Sequence, residues 1–448
     1  MFRWIDTIFP RRALFQRDRR LLHLFLGRVL ASVGFSIVIP FLSLYLHGTR
    51  GVPMSMVGGV FFIAALAGAV GQIVGGELSD RRGRKFVLIC SQLIRAVAFF
   101  GLGFAVMTRA PFAVFALLTS VSAFAGRMFE PPSGAMVADI ADGSRRAEYY
   151  GVIRIGGNLG WALGPALGGF LAALSYSTLF LIAACVLLLG AAVMALKVEE
   201  TSPRHRRRVN VGGAPPDPAP LQAPVAEVGP PTTAGRYRLQ DIVETLRDQV
   251  FLRYCLVSLV LFTVTAQLIS TLSVYAVEWA GLSKVELGFL YALNGLMVVF
   301  LQFPAVKLTA SMRLTSALAL GAALFGIGYG MMGLGSSLAL LAAAMVVTTL
   351  GEIIATPPSL NLVANFSGES TRGRYMGIFG LFNSFGWSIG PLVGGILLDL
   401  TRGKPMLLWG TITGIAFVAA AGYLDVRRRI DTATDRNVEA TGARAAMA

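Results

Sequence analysis

Long apolar runs alternate with short polar connections along most of the chain. Six runs, near residues 21–47, 54–78, 86–107, 112–139, 149–173 and 177–197, each approach or exceed the twenty or so residues that a helix needs to cross a hydrocarbon core. A second set follows near 251–280, 285–308, 314–334, 337–366, 373–400 and 404–425. The pattern predicts an all-α membrane protein of twelve transmembrane helices in two sets of six, called segments one to twelve below.

The polar connections set the orientation. Arg81, Arg82, Arg84 and Lys85 lie between segments two and three, Arg145 and Arg146 between four and five, Lys307 and Arg313 between eight and nine, and Arg372 and Arg374 between ten and eleven. The alternate connections carry only isolated cations such as Arg50, Arg109, Lys284 and Arg402. The positive-inside rule then predicts both termini in the cytoplasm. The expected organisation is a cytoplasmic amphipathic arm (1–20), a six-helix half (21–197), a linker (198–250), a second six-helix half (251–425) and a cytoplasmic tail (426–448). The linker is rich in Pro, Ala and Gly without apolar periodicity, as in "GGAPPDPAPLQAPVAEVGPPTTAG", and such a composition cannot bury a core. "YRLQDIVETLRDQ" after it predicts a short surface helix leading into segment seven. The N-terminal arm lacks the apolar core and cleavage site of a signal peptide.

The halves are related to each other. Residues 131–169 align without gaps to 357–395 with 15 identities in 39 positions, including Pro131/Pro357, Arg146/Arg372, Tyr149/Tyr375 and Trp161/Trp387. One six-helix unit has been duplicated in parallel, as in transporters whose site lies between repeats. Within the repeat, "GWALGPALGG" from Gly160 returns as "GWSIGPLVGG" from Gly386, an offset of 226 residues. The full pattern is Gly151, Gly160, Gly164-Pro165 and Gly168-Gly169 in segment five, and Gly377, Gly386, Gly390-Pro391 and Gly394-Gly395 in segment eleven. Glycines four apart make a flat stripe that admits another helix closely, and proline bends the helix that carries it. The stripe suits either a static packing face or a surface on which helices slide.

Composition narrows the classes of function. Of 448 residues, 55% are hydrophobic and 14% charged, too apolar for a soluble domain. The net charge of +15 suggests a nucleic-acid partner until the cations are located; they sit in alternate connections, so none is expected. Cys90, Cys185 and Cys255 are scattered singly, and His23, His47 and His205 form no cluster, so neither a metal site nor a disulfide framework is expected. No nucleotide-binding glycine loop or nucleophile constellation is present, which argues against an enzyme and leaves an ion gradient as the energy source. No cofactor is expected.

The glycine pattern of segments five and eleven resembles motif C, the antiporter signature of exporters in the major facilitator superfamily. "GGELSDRRGRK" between segments two and three resembles motif A of the same superfamily, matched at Gly76, Leu78, Asp80, Arg81, Gly83, Arg84 and Lys85. The resemblance implies a conformational latch in which the aspartate pairs with a neighbouring helix end and a basic residue. The corresponding second-half loop, "QFPAVKLTASMRLT", lacks the aspartate and the glycine turn. Arg127 in "GRMFEPPSGAMVADI" is a partial match to motif B, and "TLGEIIATPP" resembles the intramembrane-glutamate stretch of bacterial multidrug exporters. Among the subgroups the chain most resembles the twelve-helix drug:proton antiporters, which implies a multi-pass protein of the bacterial cytoplasmic (inner) membrane, acting as a monomer on small amphipathic molecules.

Ionisable residues inside membrane segments are costly and usually functional or paired. Glu352, about halfway along segment ten, has no basic residue within a helical turn and stands where the first repeat has Gly126. It is the expected proton carrier; neutralisation by an arginine across a helix pair is the alternative. Arg127 and Glu130, three residues apart on segment four, are candidates either for an intrahelical ion pair or for the proton path and substrate cavity, toward which the bend at Pro131-Pro132 would present the Glu130 carboxylate. By resemblance, Asp139 belongs to the motif A latch or to the proton path. Arg95 and Arg154 are placed slightly inside the cytoplasmic boundary, to snorkel or to pair with Asp80 or Asp139. The expected function is proton-driven export of amphipathic molecules or drugs by alternating access, with a lipid flippase or an uptake symporter as the alternatives.

Overall fold

The computed structural model describes residues 18–141, 145–202, 244–368 and 371–436. Among them every long element is a helix. Eleven helices are long and apolar enough to cross a membrane: Arg19–Thr49, Met54–Arg82, Arg84–Met107, Phe112–Ile140, Tyr176–Lys197, Gln249–Trp279, Lys284–Gln302, Leu314–Met332, Leu338–Phe366, Arg372–Leu400 and Pro405–Arg429. Between Ile140 and Tyr176 runs a further helix, Arg146–Leu174, bearing Pro165. The amphipathic arm up to residue 17, most of the linker and the start of the expected surface helix lie outside the described residues.

The two sets of helices share their irregularities. Segment one ends in a π turn, Tyr45–Thr49, and segment seven ends in another, Tyr275–Trp279. Segment seven is further interrupted by a 3-10 turn at Ala266–Leu268. In segment four the helix breaks at Phe129, between Phe112–Met128 and Glu130–Ile140, because Pro131 and Pro132 have no N–H to continue the ladder and instead suit a helix start. The equivalent Pro357 and Pro358 lie inside the continuous helix Leu338–Phe366. Some helix starts are capped by their own flanking side chains: Asp248 accepts from the N–H groups of Val250 and Phe251, and Ser283 with Glu286 forms a capping box at segment eight.

By mutual packing the chain forms two units. One holds the described residues of Met1–Val38, Ile63–Gly164 and Leu174–Thr232; the other holds those of Ile39–Phe62, Pro165–Ala173 and Thr233–Ala448. Within the first, segment three packs on segments four and six. Within the second, segment nine packs on segments ten and twelve in the same way, and segment seven packs on eleven and twelve. Aromatic side chains fill that core: Tyr254 stacks on Phe379 and Tyr329 on Trp409, with centroids 5.4 and 5.3 Å apart. Many large apolar side chains, Ile73, Leu196 and Leu308 among them, point outward, as expected of a surface solvated by lipid.

Candidate functional site

The glycine stripes meet specific partners. In the first unit, Gly160 and Gly164 face Ser32 and Ser36 of segment one, and those hydroxyls donate to the carbonyls of Gly157 and Gly160 at 2.7 and 2.9 Å. In the second unit, Gly386, Gly390 and Gly394 face Phe262, Ala266 and Thr271 of segment seven, while the Gln267 amide donates to the Gly390 carbonyl at 2.9 Å. Gly169 packs on the start of segment eight and Gly395 on the start of segment two. By contrast, Gly151 and Gly377 have open space where a side chain would be. Pro165 and Pro391 present backbone to Gly288 and Gly58 respectively.

At the turn between segments two and three, Gly83 adopts φ +99°, a conformation open essentially to glycine alone. Glu200, just after segment six, accepts from the N–H groups of Arg84 and Lys85 at 3.0 Å and so caps segment three. The Arg84 guanidinium donates to Asp139 and to the carbonyl of Ala135, tying this turn to the C-terminal end of segment four. Arg81 pairs with Glu77 one turn back, and Gly76 faces Pro131. Asp80 is exposed and makes no hydrogen bond or ion pair among the described residues. Sequence reasoning missed Glu200. Its signal, a carboxylate directly after the sixth segment, is visible only once segments three and six are known to pack.

The second half uses an analogous cap from a different place. Asp435, in the C-terminal tail and fully buried, accepts from the Thr315 N–H at 2.8 Å, the Thr315 hydroxyl at 2.6 Å and Arg313 Nε at 2.6 Å. The aspartate that the loop between segments eight and nine lacks is thus supplied by the chain end. The Asn365 amide, at the end of segment ten, donates to the carbonyls of Thr434 and Arg436 and completes the strap.

Glu352 is partly buried in segment ten, and its carboxylate accepts from the Asn294 amide of segment eight at 3.0 Å. The same amide reaches the Thr349 hydroxyl at 3.0 Å. No basic side chain pairs with Glu352 among the described residues. The neighbouring tyrosine Tyr329 is fully buried, within electrostatic range of the carboxylate.

In segment four the expected Arg127–Glu130 pair does not form. Glu130 instead accepts from Arg28 of segment one at 2.7 Å, so the carboxylate is taken by a cation from another helix. Arg127 is exposed, its stem lying against Gly68 of segment two. Arg95 also departs from expectation. It lies at the middle of Arg84–Met107, too deep to snorkel, and is only 7% exposed. Its Cζ sits 4.2 Å above the Phe35 ring, a cation–π contact in place of an ion pair. Arg154 is exposed on segment five and pairs with neither Asp80 nor Asp139.

Long apolar helices built from a duplicated unit, with ionisable side chains such as Arg95 and Glu352 midway along them, are the plan of a polytopic membrane transporter. The sequence profile of the Major Facilitator Superfamily matches residues 24–314 and 280–446, and the chain belongs to that superfamily. It is 25% identical over 401 residues to the MFS-type transporter YqjV of Bacillus subtilis, covering 88% of this chain and 90% of that one. Over 403 residues it is 26% identical to the multidrug resistance protein MdtH of Edwardsiella ictaluri, covering 89% and 92%. Two solved structures share its fold. A POT family transporter in complex with a thioalcohol-conjugated peptide superposes with a TM-score of 0.72 at 14% identity, covering 94% of this chain and 99% of that one. The nucleoside transporter NupG gives 0.71 at 13%, covering 91% and 99%.

Proposed function

We propose that the protein is a proton-coupled antiporter that exports small amphipathic molecules across a bacterial cytoplasmic membrane by alternating access. In this reading twelve helices span the membrane, both termini are cytoplasmic, and the chain works as a monomer in lipid without a cofactor. The observation that carries it is Glu352: a mid-membrane carboxylate held by the neutral Asn294 amide, with no cation partner among the described residues. A carboxylate so placed is free to take up a proton and release it, whereas one locked to an arginine is not. The motif C glycines in both halves and the likeness to relatives called multidrug resistance protein support export over uptake.

The test is dye efflux in inverted membrane vesicles energised by a proton gradient, with cationic, neutral and anionic dyes. Gradient-dependent movement of at least one dye by the wild type, lost in Glu352→Gln, is the expected result. Gradient-driven movement retained in Glu352→Gln overturns the role of this residue. No movement of any dye by folded protein overturns the multidrug reading.

A further inference from the structure

Charge is distributed oppositely in the two repeats. At the repeat offset of 226, Asn294 and Glu352 correspond to Gly68 and Gly126, and Arg95 corresponds to Gly321. Thus the second unit puts a carboxylate where the first has glycine, and the first puts a guanidinium where the second has glycine. A methyl group added at Gly126 would stand 2.9 Å from Arg95 Cζ, so the guanidinium occupies the space over that glycine.

Arg95 is not alone. The charged groups within electrostatic range of it are Glu130, Arg28 and Arg127. Glu130 is matched by Arg28, leaving two of the three guanidinium charges without a carboxylate among the described residues. Arg28 Nε and Arg95 Nε are both buried with no hydrogen-bond partner. Leaving charged groups unmatched in mid-membrane is expensive, and the structure gives Arg95 only rings: Phe35 at 4.2 Å and Phe99 at 6.0 Å. Phe35 in turn meets Trp161 of segment five edge-on at 5.9 Å, and Trp161 is 37% exposed. Three cations, one competing carboxylate and an accessible aromatic edge therefore lie together inside the first unit.

We propose that Arg28, Arg95 and Arg127 form a subsite for the carboxylate of an amphipathic substrate, with Phe35 and Trp161 receiving its apolar part. Glu130 holds Arg28 until a substrate carboxylate competes for it. The inference rests on the export reading only in calling the ligand a substrate, because the subsite itself binds without a gradient.

The test is equilibrium dialysis of the purified full chain with radiolabelled 2-naphthoate, and with its uncharged analogue 2-naphthamide. Naphthoate is expected to bind at least tenfold tighter than the amide. Arg95→Gln abolishes that preference, Arg95→Lys keeps part of it, and Glu130→Gln strengthens naphthoate binding severalfold by removing the internal competitor. Absence of saturable naphthoate binding by the wild type overturns the subsite, as does equal affinity for acid and amide. So does a preference unchanged in Arg95→Gln. Where Arg95→Gln fails to elute as a folded species, Glu130→Gln decides: stronger naphthoate binding supports the subsite, and unchanged or weaker binding means that the cluster only holds helices together. Efflux without charge preference defeats the subsite alone, and charge preference without efflux defeats the export reading alone.

Discussion

Asp399, near the end of segment eleven, accepts from the backbone N–H groups of Ser55 at 2.8 Å and Met54 at 3.0 Å. These N–H groups open segment two and have no partner within their own helix, so the carboxylate caps a helix 344 residues away in sequence. His47 Nε2 lies 3.5 Å from Glu278 within the same unit, where segments one and seven end. Removing the cap by Asp399→Ala is expected to destabilise the fold by about 1–2 kcal/mol, the usual worth of an N-cap. A lowered midpoint in a thermal melt of detergent-purified protein is the readout, and an unchanged midpoint would show that water replaces the carboxylate at no loss.

The glycine stripe separates into positions that are packed and positions that are not. Gly160→Val and Gly386→Val push branched side chains into Ser32 and Phe262, so overpacking of about 1–3 kcal/mol is expected at each, with loss of folded yield. Gly151→Ala and Gly377→Ala enter open space and should leave the melting midpoint unchanged. A transport defect in either alanine variant, at unchanged stability, would mark a second conformation in which those faces close.

At Gly83 two requirements coincide, a φ of +99° and the nearby Glu200 carboxylate, which leaves little room for a side chain. Gly83→Ala should therefore cost about 1–3 kcal/mol in backbone strain. Glu200→Ala should cost about 1 kcal/mol through the lost cap of segment three. Comparing melts of the single and double variants tests whether the turn and the cap act together: if they do, the double variant loses less than the two singles combined.

The tail strap predicts where shortening the chain is costly. Deleting from residue 431 onward removes Asp435 and exposes the start of segment nine, and should lower the melting midpoint. Asp435→Ala is expected to cost on the order of 2 kcal/mol, because the Thr315 N–H and hydroxyl lose their acceptor in a buried place. The neighbouring Asp431 carboxyl is held below its ordinary value by the Thr434 hydroxyl and by the N–H groups of Thr434 and Ala433. Its contribution to the strap is present above the ordinary carboxylate range and disappears as pH falls through that lowered value. Limited proteolysis of the tail as a function of pH reads this directly: cleavage should accelerate only under acid conditions.

The apolar runs, the repeat offset of 226 and the glycine stripes were legible in the sequence because each depends on local order along the chain. A helix crossing lipid must satisfy its own backbone, so length and apolarity suffice to reveal it. A stripe of glycines four apart shows one helix face without reference to any partner. Glu352 was legible for a similar reason, as a carboxylate whose cost in lipid is evident from its neighbours in sequence. Only the tertiary structure decided which charges meet. Arg28, 102 positions away, takes Glu130 in place of the short-range pair that helical spacing suggests with Arg127. Arg95 sits over the Phe35 ring rather than at an interface, and Asp435 supplies from the tail the carboxylate that the loop between segments eight and nine lacks. Ion pairs, caps and cation–π contacts form between groups that folding brings within a few ångströms, and separation along the chain carries no record of that distance.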